Sequence, residues 1–160
     1  MAGRARSVAR PARPVVSARL RYLLDTNILS EPARPQPNDG VVTRLRQELD
    51  GCATAALVVH ELEFGLARLP DSRRKRLLSQ YLRDVVGPVP VLPYDAAAAR
   101  WHALERARLA RRGVTVPFVD GQIAAIAHVH GLVLVTRNTD DYAPLVGLRV
   151  ENWFAIPPSR

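Results

Sequence analysis

Short apolar runs and helix-length patterns alternate along the chain from residue 20 onward, and that alternation leaves few folds open. Residues 20–24, 53–59, 89–92, 132–136 and 148–150 read as strands, the run at 132–136 most clearly. Between the first two, Val41, Leu45 and Leu49 repeat every four residues and mark a helix face. A helix is expected over 60–69, with Leu62, Leu66 and Leu69 on one side, and another over 73–86, carrying Leu77, Leu78, Tyr81, Leu82 and Val85. Asp95 is placed to cap a long alanine-rich helix to about 112, which Gly113 stops. Pro117 suits the first turn of the next helix, ended by Gly131 after residue 130. A short helix around 142–146 precedes the last strand. Strands joined through helices of this length need crossover connections, so the sheet is largely parallel. With no internal repeat and no long linker, residues 20–156 are expected to form one α/β domain, with 1–19 an extension and 157–160 a short tail.

Composition narrows the partners. Hydrophobic residues at 48% with 24% charged argue against wholesale disorder. Charges interrupt every apolar stretch before the ~20 residues a membrane helix requires. The single cysteine, Cys52, excludes a disulfide framework and a cysteine zinc site, and a reducing, cytoplasmic setting is expected. Of the net charge of +8, residues 1–19 carry five arginines and no acid, leaving +3 for the rest. That segment reads as a solvated basic arm. A nucleic-acid-touching arm and a targeting peptide are the alternatives, although Pro11 and Pro14 spoil an amphipathic helix.

Four acids fall at informative places. Asp25 follows the first strand, Glu61 lies in the first turn of the expected helix after the second, and Asp141 follows the strand at 132–136. Ligands of open parallel sheets bind beyond the carboxyl ends of the strands. Asp120, at the start of a helix feeding a strand, is expected to reach that edge only through a crossover of two helices that doubles back. Two unit charges 4 Å apart repel by about 4 kcal/mol at an effective dielectric of 20. A divalent cation removes that cost, and oxygen-only ligands select Mg²⁺ or Mn²⁺ over zinc. Such a centre can activate water against a phosphodiester. The plainer reading is that Asp25 ends a strand while Glu61 and Asp120 suit helix N-termini; spacing alone leaves both open.

The residues around these acids narrow the choice. Tyr22-Leu23-Leu24-Asp25-Thr26-Asn27-Ile28-Leu29-Ser30-Glu31 resembles the opening motif of PIN-domain toxins of the VapC type. His60-Glu61-Leu62-Glu63-Phe64-Gly65-Leu66 resembles the family's E-L-x-x-G helix, and Val119-Asp120-Gly121-Gln122-Ile123-Ala124-Ala125 its D-x-x-I-A-A helix. Thr136-Arg137-Asn138-Thr139-Asp140-Asp141-Tyr142 resembles its T-R-N-x-x-D-F segment, and Asn152-Trp153 its usual ending. The blocks stand in the family's order across residues 20–155. The resemblance implies a PIN-like three-layer α/β/α fold with a five-stranded parallel sheet ordered 3-2-1-4-5. It also implies a Mg²⁺- or Mn²⁺-dependent endoribonuclease, the toxin of a type II toxin–antitoxin pair, held by a VapB-like antitoxin and commonly homodimeric. Asp25 and Asp120 would be the principal metal ligands, Glu61 would orient or deprotonate the attacking water, and Asp141 would be the fourth acid. Asn138 and Asp140 compete for that fourth role. Thr26, Asn27, Thr136 and Asn138 would position water or phosphate. His60 reads as a local packing choice, Glu63 as solvated or paired with an arginine, and His128 with His130 as a poor metal pair. The extra residues before the first strand depart from the family; a misassigned start and a real basic arm both fit.

Arg73-Arg74-Lys75-Arg76 could attract an RNA backbone or simply be solvated. Arg106, Arg108, Arg111 and Arg112 lead into the loop at 113–117, which in the resembled fold lies near the active-site groove. Arg111, Arg112 and Arg137 are accordingly candidate RNA contacts, the substrate being a tRNA, a ribosomal RNA or a message. Trp101 and Leu104 read as core. With 6% aromatics, recognition of a structured RNA by shape is expected over base stacking. The apolar faces between Glu61 and Val86 exceed what a small sheet must cover, and by resemblance would receive an amphipathic antitoxin segment. A phosphatase of the haloacid-dehalogenase type fails on Asn27, where it needs a second aspartate, and on its lysine, since the sole lysine is Lys75. A silent RNA- or protein-binding scaffold and a housekeeping RNA-processing nuclease remain as alternatives.

Overall fold

The computed structural model describes residues 19–155. The extension expected at 1–19, apart from Arg19, and the tail at 157–160 lie outside the described residues. Five strands, β1 (Tyr22–Leu24), β2 (Cys52–Ala55), β3 (Val91–Leu92), β4 (Val133–Val135) and β5 (Arg149–Glu151), form one sheet ordered β3-β2-β1-β4-β5. Every pairing is parallel, with Leu24 beside Thr54 on one side and Val135 on the other. Tyr22, Leu23 and Leu24 are all buried, so both faces of the central strand are covered, as a parallel sheet between helix layers requires. The expected α/β architecture and strand order are therefore observed.

Among the described residues seven α-helices connect the strands: α1 (Thr26–Leu29), α2 (Asp39–Glu48), α3 (Ala56–Ala67), α4 (Arg73–Tyr81), α5 (Ala96–Ala110), α6 (Phe118–Val129) and α7 (Thr139–Tyr142). Side chains of Asn38, Ser72 and Asp95 cap α2, α4 and α5 by accepting from Val41, Lys75 and Ala98 amides. Gly113 and Gly131 take φ of +68° and +65° and release the chain after α5 and α6. Pro117 precedes the first helical residue, Phe118, one position earlier than expected.

The second strand is the clearest departure from the sequence reading. The run at 53–59 is strand only to Ala55; Ala56 already opens α3. A continuous apolar run fits a buried strand and a buried helix start equally, and Ala55 offers no side-chain cap to mark the switch. Glu61 consequently lies in the second turn of α3, not the first. The helix expected over 73–86 is α4 followed by a π-helical stretch, Leu82–Val86. The short helix at 142–146 lies earlier, in α7. Leu104 is 73% exposed and is not core; Trp101 is half-buried, its ring stacked on His128 with centroids 4.4 Å apart.

Asp120 needs no doubling back of the kind expected. A helix running antiparallel to the strand it feeds begins at the carboxyl edge, and α6 ends beside the amino end of β4, where the Leu132 amide donates to the Ala127 carbonyl. Its first turn therefore lies on the ligand-binding side. The α5–α6 contact fixes that turn closely: a Cβ built on Gly121 would overlap His102 Nε2. His102 is itself buried, its Nδ1 3.0 Å from the Tyr94 hydroxyl and its ring tilted against Phe118. Burial first, then the Arg106 charge, holds the His102 imidazole below its usual pKa, so it packs as a neutral ring.

Candidate active site at the carboxyl edge of the sheet

Asp25 ends β1 and begins α1. Its Oδ1 accepts from the Thr26 amide at 2.7 Å, and its Oδ2 accepts from the Thr136 hydroxyl at 2.8 Å and from Asn27 Nδ2 at 3.4 Å. Thr136, fully buried just past β4, also receives the Asn27 amide at 3.2 Å and the Asn138 backbone amide at 3.2 Å. The Asn27 side chain completes the bridge by accepting from the Arg137 backbone amide at 3.0 Å. Two chain segments more than a hundred residues apart are thus laced together through one carboxylate. The network fixes the Asp25 rotamer before any ligand arrives, which is the arrangement a pre-organised site needs.

Around Asp25 stand the other acids. Glu61, exposed on α3, accepts from the Thr26 hydroxyl. Asp120 lies in the first turn of α6 and Asp141 on α7. Burial pushes the Asp25 carboxyl up; the Thr136 hydroxyl and Thr26 amide offset part of this, and the Glu61 charge adds to it. Asp120 is also pushed up, by burial and then by the charges of Asp25, Asp141 and Glu61. Like charges therefore share this edge. On α7, the Asp141 charge is among those acting on Asp120.

Tyr142 is the residue sequence reasoning missed. In the sequence it only closes the T-R-N-x-x-D-F block and opens an expected short helix, yet it is buried where the charges of the four acids act on it. Burial, then the charges of Asp25, Asp120, Asp141 and Glu61, push the phenol far up, so it stays a donor at any working pH. A signal was present: the resembled motif ends in D-F, and this chain has Asp141-Tyr142.

The remaining candidates separate. Arg137 and Asn138 are exposed on the loop that carries Thr136. Arg111 and Arg112 are exposed after α5, with no polar side-chain contact among the described residues tying them to the acids. Arg108, which shared their cluster in sequence, forms a two-point pair with Glu105 and donates to the Pro144 carbonyl at 2.8 Å, so it serves the fold. His60 stacks on Phe64 at 6.0 Å, a packing role as expected. Glu63 is exposed and in no ion pair among the described residues.

As a potential ligand set these groups are all oxygen donors, the kind hard divalent cations take. The upward push of the acids on Asp120 is the repulsion such a cation would relieve. Among the described residues, however, no three of the acids stand close enough together to hold one ion as they are placed. Asp25 is fixed by its hydrogen bonds and Glu61 is tethered by the Thr26 hydroxyl, whereas Asp141 is an exposed side chain free to turn.

Comparison with known proteins agrees with this architecture. The PIN domain family matches residues 22–143. Toxin FitB of Neisseria gonorrhoeae is 37% identical over 124 residues, covering 75% of this chain and 89% of FitB. The tRNA(fMet)-specific endonuclease VapC of Shigella flexneri is 33% identical over 134 residues, covering 84% and 98%. Among solved structures, FitAB bound to a DNA fragment superposes with a TM-score of 0.78 at 31% identity, over 87% of this chain and 99% of that one. With motif order, sheet topology and these relatives in agreement, the chain belongs to the PIN-domain family, among its VapC-type ribonuclease toxins.

Proposed function

We propose that this protein is a divalent-metal-dependent endoribonuclease, the toxin of a type II toxin–antitoxin pair, which hydrolyses RNA phosphodiester bonds at the carboxyl edge of its sheet. The observation that carries the reading is the buried, fully hydrogen-bonded Asp25 standing in the field shared with Asp120, Asp141 and Glu61. Asp25 and Asp120 would hold a Mg²⁺ or Mn²⁺ ion, with Glu61 on the Thr26 hydroxyl and Asp141 turning in to complete the acidic set. The ion, when bound, supplies Lewis-acid polarisation of the phosphoryl oxygen and eases loss of a proton from water. Glu61 orients the attacking water and accepts its proton, held for that task by the Thr26 hydroxyl. Thr136 and Asn27 keep Asp25 aimed through their hydrogen bonds; Asn138, beside them, positions water or phosphate. Arg111, Arg112 and Arg137 contact the RNA backbone.

The VapC-type assignment brings an antitoxin partner. A groove of about 1000 Å³ between the turn after α1 and α4, lined by Pro32, Pro35, Leu77 and Tyr81, is where we place its amphipathic segment. Among the described residues no helix is long and apolar enough to cross a membrane, and a cytoplasmic homodimer is the working state we propose. A silent scaffold is the second reading; the built hydrogen-bond lattice around Asp25 favours catalysis over it. Incubation of purified protein with total cellular RNA, with Mg²⁺ or Mn²⁺ against EDTA, tests the proposal. Discrete metal-dependent fragments support it and, by end sequencing, name the RNA. Binding without cleavage under every metal supports the scaffold instead.

A further inference from the structure

Arg137 is held more firmly than an exposed loop arginine needs to be. Its backbone amide donates to Asn27 Oδ1 at 3.0 Å, and its carbonyl accepts from Asn152 Nδ2 at 3.5 Å. Its guanidinium lies over the Phe154 ring, 4.9 Å from the centroid. Phe154 is fixed in turn, its amide donating to Asn152 Oδ1 at 2.9 Å. Asn152 thus bonds both partners of the stack and Asn27 ties the arginine backbone to the Asp25 network. Among the described residues no acid forms an ion pair with Arg137.

An arginine stacked on an aromatic face keeps its in-plane N–H fork open, and a fork of that kind matches phosphate oxygens. Holding the side chain over the ring beforehand reduces the rotamer entropy lost when the anion binds. Its backbone, one residue past Thr136 and bonded to Asn27, roots the side chain at the margin of the Asp25 network.

We propose that Arg137 grips an RNA phosphate flanking the scissile one, and that Phe154 and Asn152 are the positioning residues that hold it there. This rests on the nuclease reading and adds the residues that seat the substrate.

The test is RNA binding in EDTA, followed as a function of salt, beside cleavage kinetics in Mn²⁺. The probe is the RNA fragment pool that the wild type cuts, or total RNA if none is cut. Arg137→Ala is expected to flatten the dependence of log K on log salt by about one counterion and to raise KM several-fold with kcat changed less. Phe154→Leu keeps volume and loses the π face, so it should reproduce much of the KM effect, while Phe154→Tyr should restore wild-type behaviour. A wild type that cuts RNA while Arg137→Ala keeps its salt slope and KM overturns the inference alone, as does equal behaviour of the Phe154→Leu and Phe154→Tyr variants. A wild type that neither binds nor cuts RNA overturns the nuclease reading and this clamp with it.

Discussion

Gly121→Ala should destabilise this protein, against the usual rule for a glycine inside a helix. Replacing an interior helical glycine by alanine ordinarily stabilises by roughly 0.5–1 kcal/mol. Here the new methyl would overlap Nε2 of the His102 ring and lie 2.9 Å from its Cδ2 and 3.1 Å from its Cε1. The ring cannot yield cheaply, because Tyr94 binds its other nitrogen and Phe118 packs against it. Overpacking a fitted site costs about 1–3 kcal/mol, and losing the Tyr94–His102 hydrogen bond adds about 1 kcal/mol. After the helix gain, a net loss of about 1–3 kcal/mol is expected. The assay is urea unfolding followed by circular dichroism, on Gly121→Ala, His102→Ala and the double variant. The double variant should recover a substantial part of the loss, since the methyl then enters the vacated space. Because Gly121 adjoins Asp120, Gly121→Ala should also lose nuclease activity beyond its stability loss. A Gly121→Ala protein as stable as wild type, or strictly additive single-variant losses, would refute this packing argument.

Three further outcomes follow from the same coordinates. Asp120 and Asp25 have carboxyls pushed above the ordinary 3.8 by burial, so the folded state binds more protons than the unfolded one across that interval. Their contribution to stability is present at low pH and is lost as pH rises from 3.8 through the raised values. At neutral pH in EDTA, Asp120→Asn should therefore melt higher than wild type, and added Mn²⁺ should raise the wild-type Tm more than the variant's; a lower Asp120→Asn Tm would contradict the assigned burial and repulsion. Thr136→Val removes the hydroxyl serving Asp25, Asn27 and Asn138; a stability loss of about 1–3 kcal/mol by urea unfolding is expected, with a larger proportional loss of cleavage. Trp153 is fully buried, edge-on to Tyr22 at 5.2 Å, with its indole N–H donating to Glu151 at 3.0 Å. Trp153→Ala should cost about 3–5 kcal/mol by the same measurement.

What was legible in the sequence was legible for local reasons. The strand at 132–136 is β-branched and bounded by Gly131, and Asp95 and Gly113 carry the cap and stop of α5 in their own side chains or lack of one. The sheet order entered through the resemblance of four motif blocks, not through periodicity. The site was legible as residue types, Asp25, Glu61, Asp120 and Asp141, but its geometry was not. The bonds that organise it join Asp25 and Asn27 to Thr136 and Arg137, contacts that only the folded sheet creates. Ala56–Val59 misled because an apolar run has no period to distinguish strand from helix. Arg108 resembled its basic neighbours until Glu105 was found beneath it. His102 carried no sequence signal, since the cost of a side chain at Gly121 exists only where α5 crosses α6.

The central claim is that four acids around a pre-organised Asp25 make this edge of the sheet a metal-dependent nuclease. Cleavage of cellular RNA by wild type and Asp25→Asn, prepared side by side in Mn²⁺ with fold checked by circular dichroism, tests it most directly. The account predicts discrete fragments from the wild type, abolished by EDTA and absent from a folded Asp25→Asn protein. Equal cleavage by the two proteins would place the chemistry elsewhere and contradict it.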